Sequence, residues 1–287
     1  MSDVAGSKLE LARHYSALGR HERVLELLDG EQALTEPEGW GLRGEALYHL
    51  DRYREGADAA RRGLALEPES PYLLDVLALN LMEEGDLAGA EEALLAALEA
   101  WPDDETLLCH YALACAKHGQ REKAYKLLDR AAALDPESLD VLRARAQVAF
   151  VTGDDRATRR YANEVLKHDP HDRIAHVLLG NVAAENNPYA AVRHHTHAVR
   201  LDPGDRELAE VVRQNRILTH PLQWPIYLVQ RFGPMKVWGA YVALLIFSVA
   251  AGLYWLTAIL VPIYLFMVVY SWTVAPLARW WMGRKLR

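Results

Sequence analysis

The chain has little cysteine, no acid in its C-terminal part and no motif for phosphate binding or nucleophilic catalysis. Each shortage removes a class of function. Cys109 and Cys115 are the only cysteines in 287 residues, so neither a disulfide framework nor a zinc-type cysteine spacing can be drawn. Six positions apart on one helix, they lean to opposite faces. Cys115 falls in an apolar slot, where a thiol behaves as a small buried hydrophobe. There is no G-x-S-x-G, no Walker A lysine loop and no Gly-rich dinucleotide turn. Acid pairs such as Glu83/Glu84, Glu91/Glu92 and Asp154/Asp155 are adjacent, so they point apart on a helix and read as solvated faces. The expectation is a protein that is not an enzyme and that carries no cofactor.

Histidine is the one ligand type that clusters: His168, His171, His176, His194, His195 and His197. His194 and His197 are three apart on one helix, a spacing that can share a metal. No cysteine partner and no His-Glu-x-x-His helix accompanies them, so the expectation is a surface or capping role with no metal.

The net charge of −7 conceals a split. Residues 1–219 carry 26 basic and 39 acidic side chains, a net of −13. From His220 onward there is no Asp or Glu, while Arg231, Lys236, Arg279, Arg284, Lys285 and Arg287 give +6. An acidic body does not suit nucleic acid, whose phosphates favour a basic stripe.

What the body does have is a period. Acid- or Trp-Pro pairs recur at Glu67-Pro68, Trp101-Pro102, Asp135-Pro136, Asp169-Pro170 and Asp202-Pro203, with steps of 34, 34, 34 and 33 between prolines. A small residue keeps the same beat at Gly44, Ala78, Ala112, Ala146 and Gly180, with Ala12 two residues out of step before them, and a second small slot follows at Gly63, Ala97, Ala131, Val165 and Ala198. Turn residues stand midway at Gly19, Asp51, Gly85, Gly119, Gly153 and Asn187. Small residues at fixed slots let two antiparallel helices approach closely, and proline ends the second helix because it lacks an N–H. One such hairpin cannot bury its own apolar face, so neighbours must stack.

The order aromatic, small, apolar, turn, small, proline resembles the tetratricopeptide repeat. In the second copy it reads Trp40, Gly44, Leu47, Gly56, Gly63 and Pro68, and in the third Leu74, Leu77, Ala78, Leu81, Ala90, Leu94, Ala97 and Pro102. The resemblance covers about residues 5–203. It implies an all-α fold, an α-solenoid of about six helix–turn–helix repeats. Departures gather late: Arg145 takes an apolar slot, Thr158 a small one, His176 the aromatic slot of Trp40, and His195 the slot held by Leu94 and Leu128. From Asp205, Leu208, Val211, Val212 and Leu218 at helical spacing predict an end helix. The solenoid domain is therefore placed at 1–219.

The resemblance further implies that the first helices line a concave face that binds a protein partner, as an extended or helical segment. That face would present Tyr48, His49, Tyr72, Leu79, Met82, Cys109, His110, Leu113, Lys117, Arg143, Gln147, Phe150, Asn181 and Glu185. The paired Lys and Asn set with which one branch of the family grips a C-terminal carboxylate is not present. The alternative for several of these residues is packing against neighbouring helices.

After His220 the composition changes. Residues 220–236 read as a linker at a membrane interface. Val237 to Ala278 contains no charged residue, a run long enough for two passes of a ~30 Å core and too long for one. The expectation is a transmembrane helical hairpin over 237–278, turning near Leu253–Thr257, followed by a basic tail at 279–287. Trp224, Tyr227, Lys236, Trp238, Trp255, Trp272, Arg279, Trp280 and Trp281 are the expected interface residues, with lipid and other membrane proteins as partners. Basic residues flank both ends of the run and the turn has none. The positive-inside rule then puts both ends and the repeats on the cytoplasmic side, in a bacterial inner membrane by the Ala-, Leu- and Arg-rich composition. The charged residues Lys8, Glu10, Arg13, Arg20 and Glu22 interrupt any signal-peptide core at the start. Two functions fit: a membrane-anchored scaffold or adaptor, and a structural or assembly subunit in which the hairpin makes the main contacts.

Overall fold

The computed structural model describes the backbone of residues 2–29, 36–184, 187–218, 229 and 233–285, and side chains at 8–29, 36–184, 187–216, 229, 233, 235–270 and 273. All regular structure among these is helical. The chain divides into two compact units, Met1–Pro170 and His171–Arg287.

The first unit is a run of antiparallel hairpins: α1 (Ser2–Ala17) with α2 (His21–Leu27), α3 (Pro37–His49) with α4 (Tyr53–Leu64), α5 (Pro71–Glu84) with α6 (Leu87–Ala100), α7 (Glu105–Lys117) with α8 (Arg121–Leu134), and α9 (Leu139–Val151) with α10 (Asp155–His168). The first helix of each hairpin also packs on the first helix of the next, α3 on α5, α5 on α7 and α7 on α9, so the hairpins stack. The repeat period explains the boundaries. The turn glycines Gly19, Gly85, Gly119 and Gly153 all take positive φ, and Asp51 holds the same turn at φ 57. Pro68, Pro102, Pro136 and Pro170 follow the ends of α4, α6, α8 and α10 and bar their extension.

The small slots are where the helices close. Ala12, Ala78, Ala112, Ala97 and Ala131 are fully buried. Around them one apolar core joins Leu74, Leu81, Leu94, Leu108, Leu128 and Val148 across successive hairpins, and a second gathers Leu9, Val24, Leu28 and Leu42 in the first two. Two departures from the pattern are absorbed locally. Thr158 is buried in its small slot because its hydroxyl donates to the carbonyl of Asp154 at 2.9 Å. Arg145 leaves its apolar slot sideways, pairing with Asp129 at 2.9 Å and lying over the Tyr161 ring.

Helix starts are capped where the sequence supplies an acid or hydroxyl. Asp86, Asp104, Ser138 and Asp154 accept backbone N–H groups of the first turn. Asp104 accepts from Leu107 at 2.9 Å. Asp104→Ala should therefore cost about 1 kcal/mol, read as a lowered denaturant midpoint at unchanged slope.

The second unit begins with a sixth hairpin, α11 (Arg173–Ala184) and α12 (Pro188–Leu201), with α13 (Arg206–Leu218) packed on α12. It continues with α14 (Pro234–Ala250) and α15 (Tyr254–Lys285). The turn between these falls at Ala251–Leu253, slightly earlier than the spacing predicts. Gly252 at φ 68 lets the chain reverse, and the Leu253 N–H donates back to Ser248 at 2.8 Å, satisfying a last-turn carbonyl of α14.

Among the described residues no helix is long and apolar enough to cross a membrane. Helix α14 has 17 residues, about 26 Å against a hydrocarbon core of ~30 Å. Of the expected linker at 220–236, residues 220–228 and 230–232 lie outside the described residues. Pro234 to Lys236 form the first turn of α14, where proline at the first helical position starts the helix and does not break it.

Candidate functional site

The face formed by the first helices of the first unit is a ladder of polar pairs between neighbouring hairpins. Arg13 on α1 holds Glu38 on α3 through two guanidinium nitrogens. On α3, Glu45 accepts from the Tyr72 hydroxyl of α5 at 3.2 Å. Tyr72 lies across Gly41, where a methyl group would sit 2.2 Å from its ring, so glycine makes the seat for the tyrosine. Asp75 on α5 meets His110 on α7 at 2.7 Å, and Glu83 meets Lys117 at 2.6 Å. On α9, Arg143 pairs with Asp140 at 2.6 Å and reaches Asp169 at 3.7 Å.

The His110 pKa is raised. Burial pulls it down, but the hydrogen bond and charge of Asp75, with Asp104 and Asp140 nearby, outweigh that. A second network stands behind the ladder. The Tyr111 hydroxyl donates to Glu91 at 2.9 Å, and Lys123 reaches the same carboxylate at 2.7 Å. Glu91 is held below the usual carboxylate range, first by the hydrogen bond from Lys123 and then by that from Tyr111.

The expected groove residues divide among these settings. Tyr48 and His49 form an aromatic corner: the Tyr48 ring stands edge-on to His49 and Tyr53, and His49 stacks on His21 at 4.2 Å. Tyr72, 40% exposed, and Phe150, 37% exposed, are the large apolar surfaces of this face. Lys117, Arg143 and Gln147 remain at least partly accessible there.

Met82 does not belong to the face. It is 3% exposed and sits in the main core. Leu79 and Leu113 are partly buried and lie against the same core, as packing neighbours more than as open groove. Cys109 is buried too, and burial pushes its thiol up to about 12, leaving it protonated and inert. Asn181 belongs to the second unit, where its Oδ1 faces His195 Nε2 at 3.0 Å. Glu185 lies outside the described residues.

The histidines of the second unit pack on one another. His176 and His194 bring their Nδ1 atoms to 3.1 Å, the His176 and His197 rings are 4.2 Å apart, and His171 stacks on His197. Among the described residues no group of three potential ligands is arranged to hold a metal.

Of the interface residues, Trp238 and Trp255 are exposed on α14 and α15, and Lys236 is exposed on α14. Trp224, Tyr227, Trp272, Arg279, Trp280 and Trp281 lie outside the described side chains. Sequence reasoning missed what α14 and α15 do with their polar groups. The Tyr241 hydroxyl donates to the Leu260 carbonyl at 2.9 Å, and the Tyr241 ring stacks on Tyr264. Ser248, fully buried, meets Thr257 at 2.8 Å. Outside this seam Ile246, Phe247, Ile259, Ile263, Leu265 and Phe266 are exposed. The spacing carried the signal: Tyr241 and Ser248, like Thr257 and Tyr264, are seven apart and share a helix face.

Residues 81–148 match the tetratricopeptide repeat family model. That segment holds most of the third and fourth hairpins and the start of the fifth. Solved tetratricopeptide structures share the fold. A thermophilic TPR protein of Thermus thermophilus superposes with a TM-score of 0.55 at 18% identity, covering 63% of this chain and all of that one. The Cut9–Hcn1 hetero-tetramer of the APC/C gives 0.56 at 13% identity over 74% of this chain and 42% of its own. The human IFIT1 dimer bound to m7Gppp-AAAA gives 0.55 at 18% identity over 75% and 56%. At these identities the likeness is one of fold. No curated protein matches the sequence.

Proposed function

We propose that this chain is a membrane-anchored scaffold, a binding protein without catalysis of its own. Its stacked tetratricopeptide hairpins take a protein segment on the face of their first helices, and α14–α15 fix it in a lipid membrane. The observation that carries the anchoring is the inverted polarity of α14 and α15. The hydroxyl groups of Tyr241, Ser248 and Thr257 bond inward to each other or to backbone, while the outward surface is mainly aliphatic and aromatic. Water would favour the reverse; hydrocarbon requires that polar groups be satisfied internally. The basic flanks support a cytoplasmic placement of both ends, and with it an inner-membrane location.

The groove reading rests on the face where Tyr48, Tyr72, Arg143 and Phe150 remain accessible beside a chain of carboxylates. A segment with aromatic or aliphatic side chains and some basic residues fits such a face. The other function that fits, a structural subunit held through its hairpin, draws on the same apolar surface of α14 and α15.

One comparison separates them. Full-length protein in mild detergent, wild type and the triple variant Tyr48→Ala, Arg143→Glu, Phe150→Ala, is used to capture partners for mass spectrometry. A partner held by the wild type and reduced at least about tenfold by the variant supports the groove. Partners held equally by both forms overturn it and move the function to the hairpin.

A further inference from the structure

Resting on the membrane reading, we propose that the α14/α15 hairpin is matched to a bilayer with a thin hydrocarbon core, about 22 Å, rather than one of ordinary thickness. Three observations converge on that length.

The first is a locked register. Tyr241 is opposite Leu260 and Tyr264, and Ser248 is opposite Thr257. Each contact uses a polar group that would be unsatisfied in hydrocarbon if the helices slid past each other. The hairpin cannot lengthen by changing its pairing.

The second is the position of its ends. At the turn, Tyr254 and Trp255 are 71% and 65% exposed. At the open end, Lys236 and Trp238 are exposed on α14, and the half-buried Tyr270 packs with Phe266 on α15. Tryptophan and tyrosine favour the headgroup level, and an ammonium favours water. From Lys236 to Ala251, and from Trp255 to Tyr270, the helices advance about 22 Å. The large exposed residues between these limits, such as Leu244, Phe247, Ile259, Ile263 and Leu265, are mostly aliphatic or phenyl, and Tyr264, 40% exposed, stacks its ring on Tyr241.

The third is which helix sets the limit. Gly233-Pro234 and Lys236 close the apolar run of α14, whereas the uncharged run of α15 continues to Ala278. In a core of ~30 Å, α14 would drag Lys236 inward or leave Tyr254 and Trp255 below the far headgroups, and either is unfavourable. In a thin core both ends reach their interfaces together.

The test is competition between membranes. Full-length protein is released from detergent into a mixture of phosphatidylcholine vesicles with short, medium and long monounsaturated acyl chains, which are then separated by flotation. The expected result is at least a tenfold enrichment, on the order of the mismatch cost, in the short-chain vesicles over the long-chain ones. Lys236→Leu, which extends the apolar run by about one turn, should shift the maximum toward the medium-chain vesicles. Equal distribution among the three, or a preference for long chains, would overturn the thickness match while leaving membrane anchoring intact. Protein that floats with none of them would overturn the anchoring reading itself.

Discussion

Gly180→Ala should destabilise the α11/α12 hairpin by roughly 1–3 kcal/mol, although alanine is the better helix former by up to ~1 kcal/mol. A methyl group at position 180 would lie 2.1 Å from Cδ2 and 2.2 Å from Nε2 of His195. That ring has nowhere to retreat: it is 1% exposed, and its Nε2 is tied to Asn181. In the earlier hairpins the equivalent pairs are Ala78 with Leu94 and Ala112 with Leu128, all fully buried. The sixth hairpin has instead combined a broader ring with a smaller floor. The two changes compensate, which a double-mutant cycle can read. His195→Ala alone leaves a cavity and costs about 2–4 kcal/mol. With the ring gone, Gly180→Ala should become neutral or stabilising. The coupling between the sites is then at least about 1 kcal/mol. Amide exchange of α11 and α12 under native conditions reports this hairpin without requiring the whole chain to unfold at once. Simple additivity of the two penalties would show that the ring and the glycine do not share the space.

Gly180 also illustrates what the sequence made legible. Its phase identified it as a small slot and His195 as a large one, and the structure buries both. Periodicity works here because a 34-residue step returns the chain to the same place on the next hairpin, so each slot meets the same neighbours. The limits of the method follow from the same fact. Phase locates a residue on a helix face, but it does not say whether the adjacent hairpin covers that face. Met82 has the phase of an inner-face residue and is covered, while Phe150, in the equivalent place on α9, is not. The polar ladder was partly readable. Glu83 and Lys117 are 34 apart, so a charge pair between equivalent positions could have been found from spacing alone. Asp75 and His110 are 35 apart, and Glu45 and Tyr72 are 27 apart; these pairs depend on side-chain reach. For α14 and α15 the composition indicated two apolar helices, and Gly252 fixed their turn. The inward bonding of Tyr241 and Ser248 required the pairing register, which composition does not contain.

Mild acid should open the second unit before the first. His194 is held down to about 4, first by burial and then by the positive charge that His176, Arg193, His195 and His197 would add. His195 is also lowered by burial, against an opposing backbone contact to Val177. For both groups the folded pKa lies below the ordinary value of 6.5, so the unfolded chain takes up its proton first as the pH falls. Their contribution is present above pH 6.5 and is lost as the pH falls from there toward 4. The geometry gives the same sign. Only one proton fits between the Nδ1 atoms of His176 and His194, and a second converts a hydrogen bond into a repulsion. In the first unit His110 runs the other way. Its pKa is raised beside Asp75, so that pair is at full strength below pH 6.5 and weakens as the pH rises through the folded value. Amide exchange between pH 6.5 and 4.5, corrected for the intrinsic chemistry, should therefore show protection falling in α11 and α12 but not in α5 and α7. His194→Gln should flatten that slope, because it removes the group with the larger shift while keeping a polar side chain beside His176. Protection in α11 and α12 that stays constant across the window in the wild type would mean that the histidine cluster carries no such proton linkage. A fall of equal size in both units would place the acid sensitivity in the paired carboxylates that each unit carries, such as Glu83 in the first and Asp205 in the second.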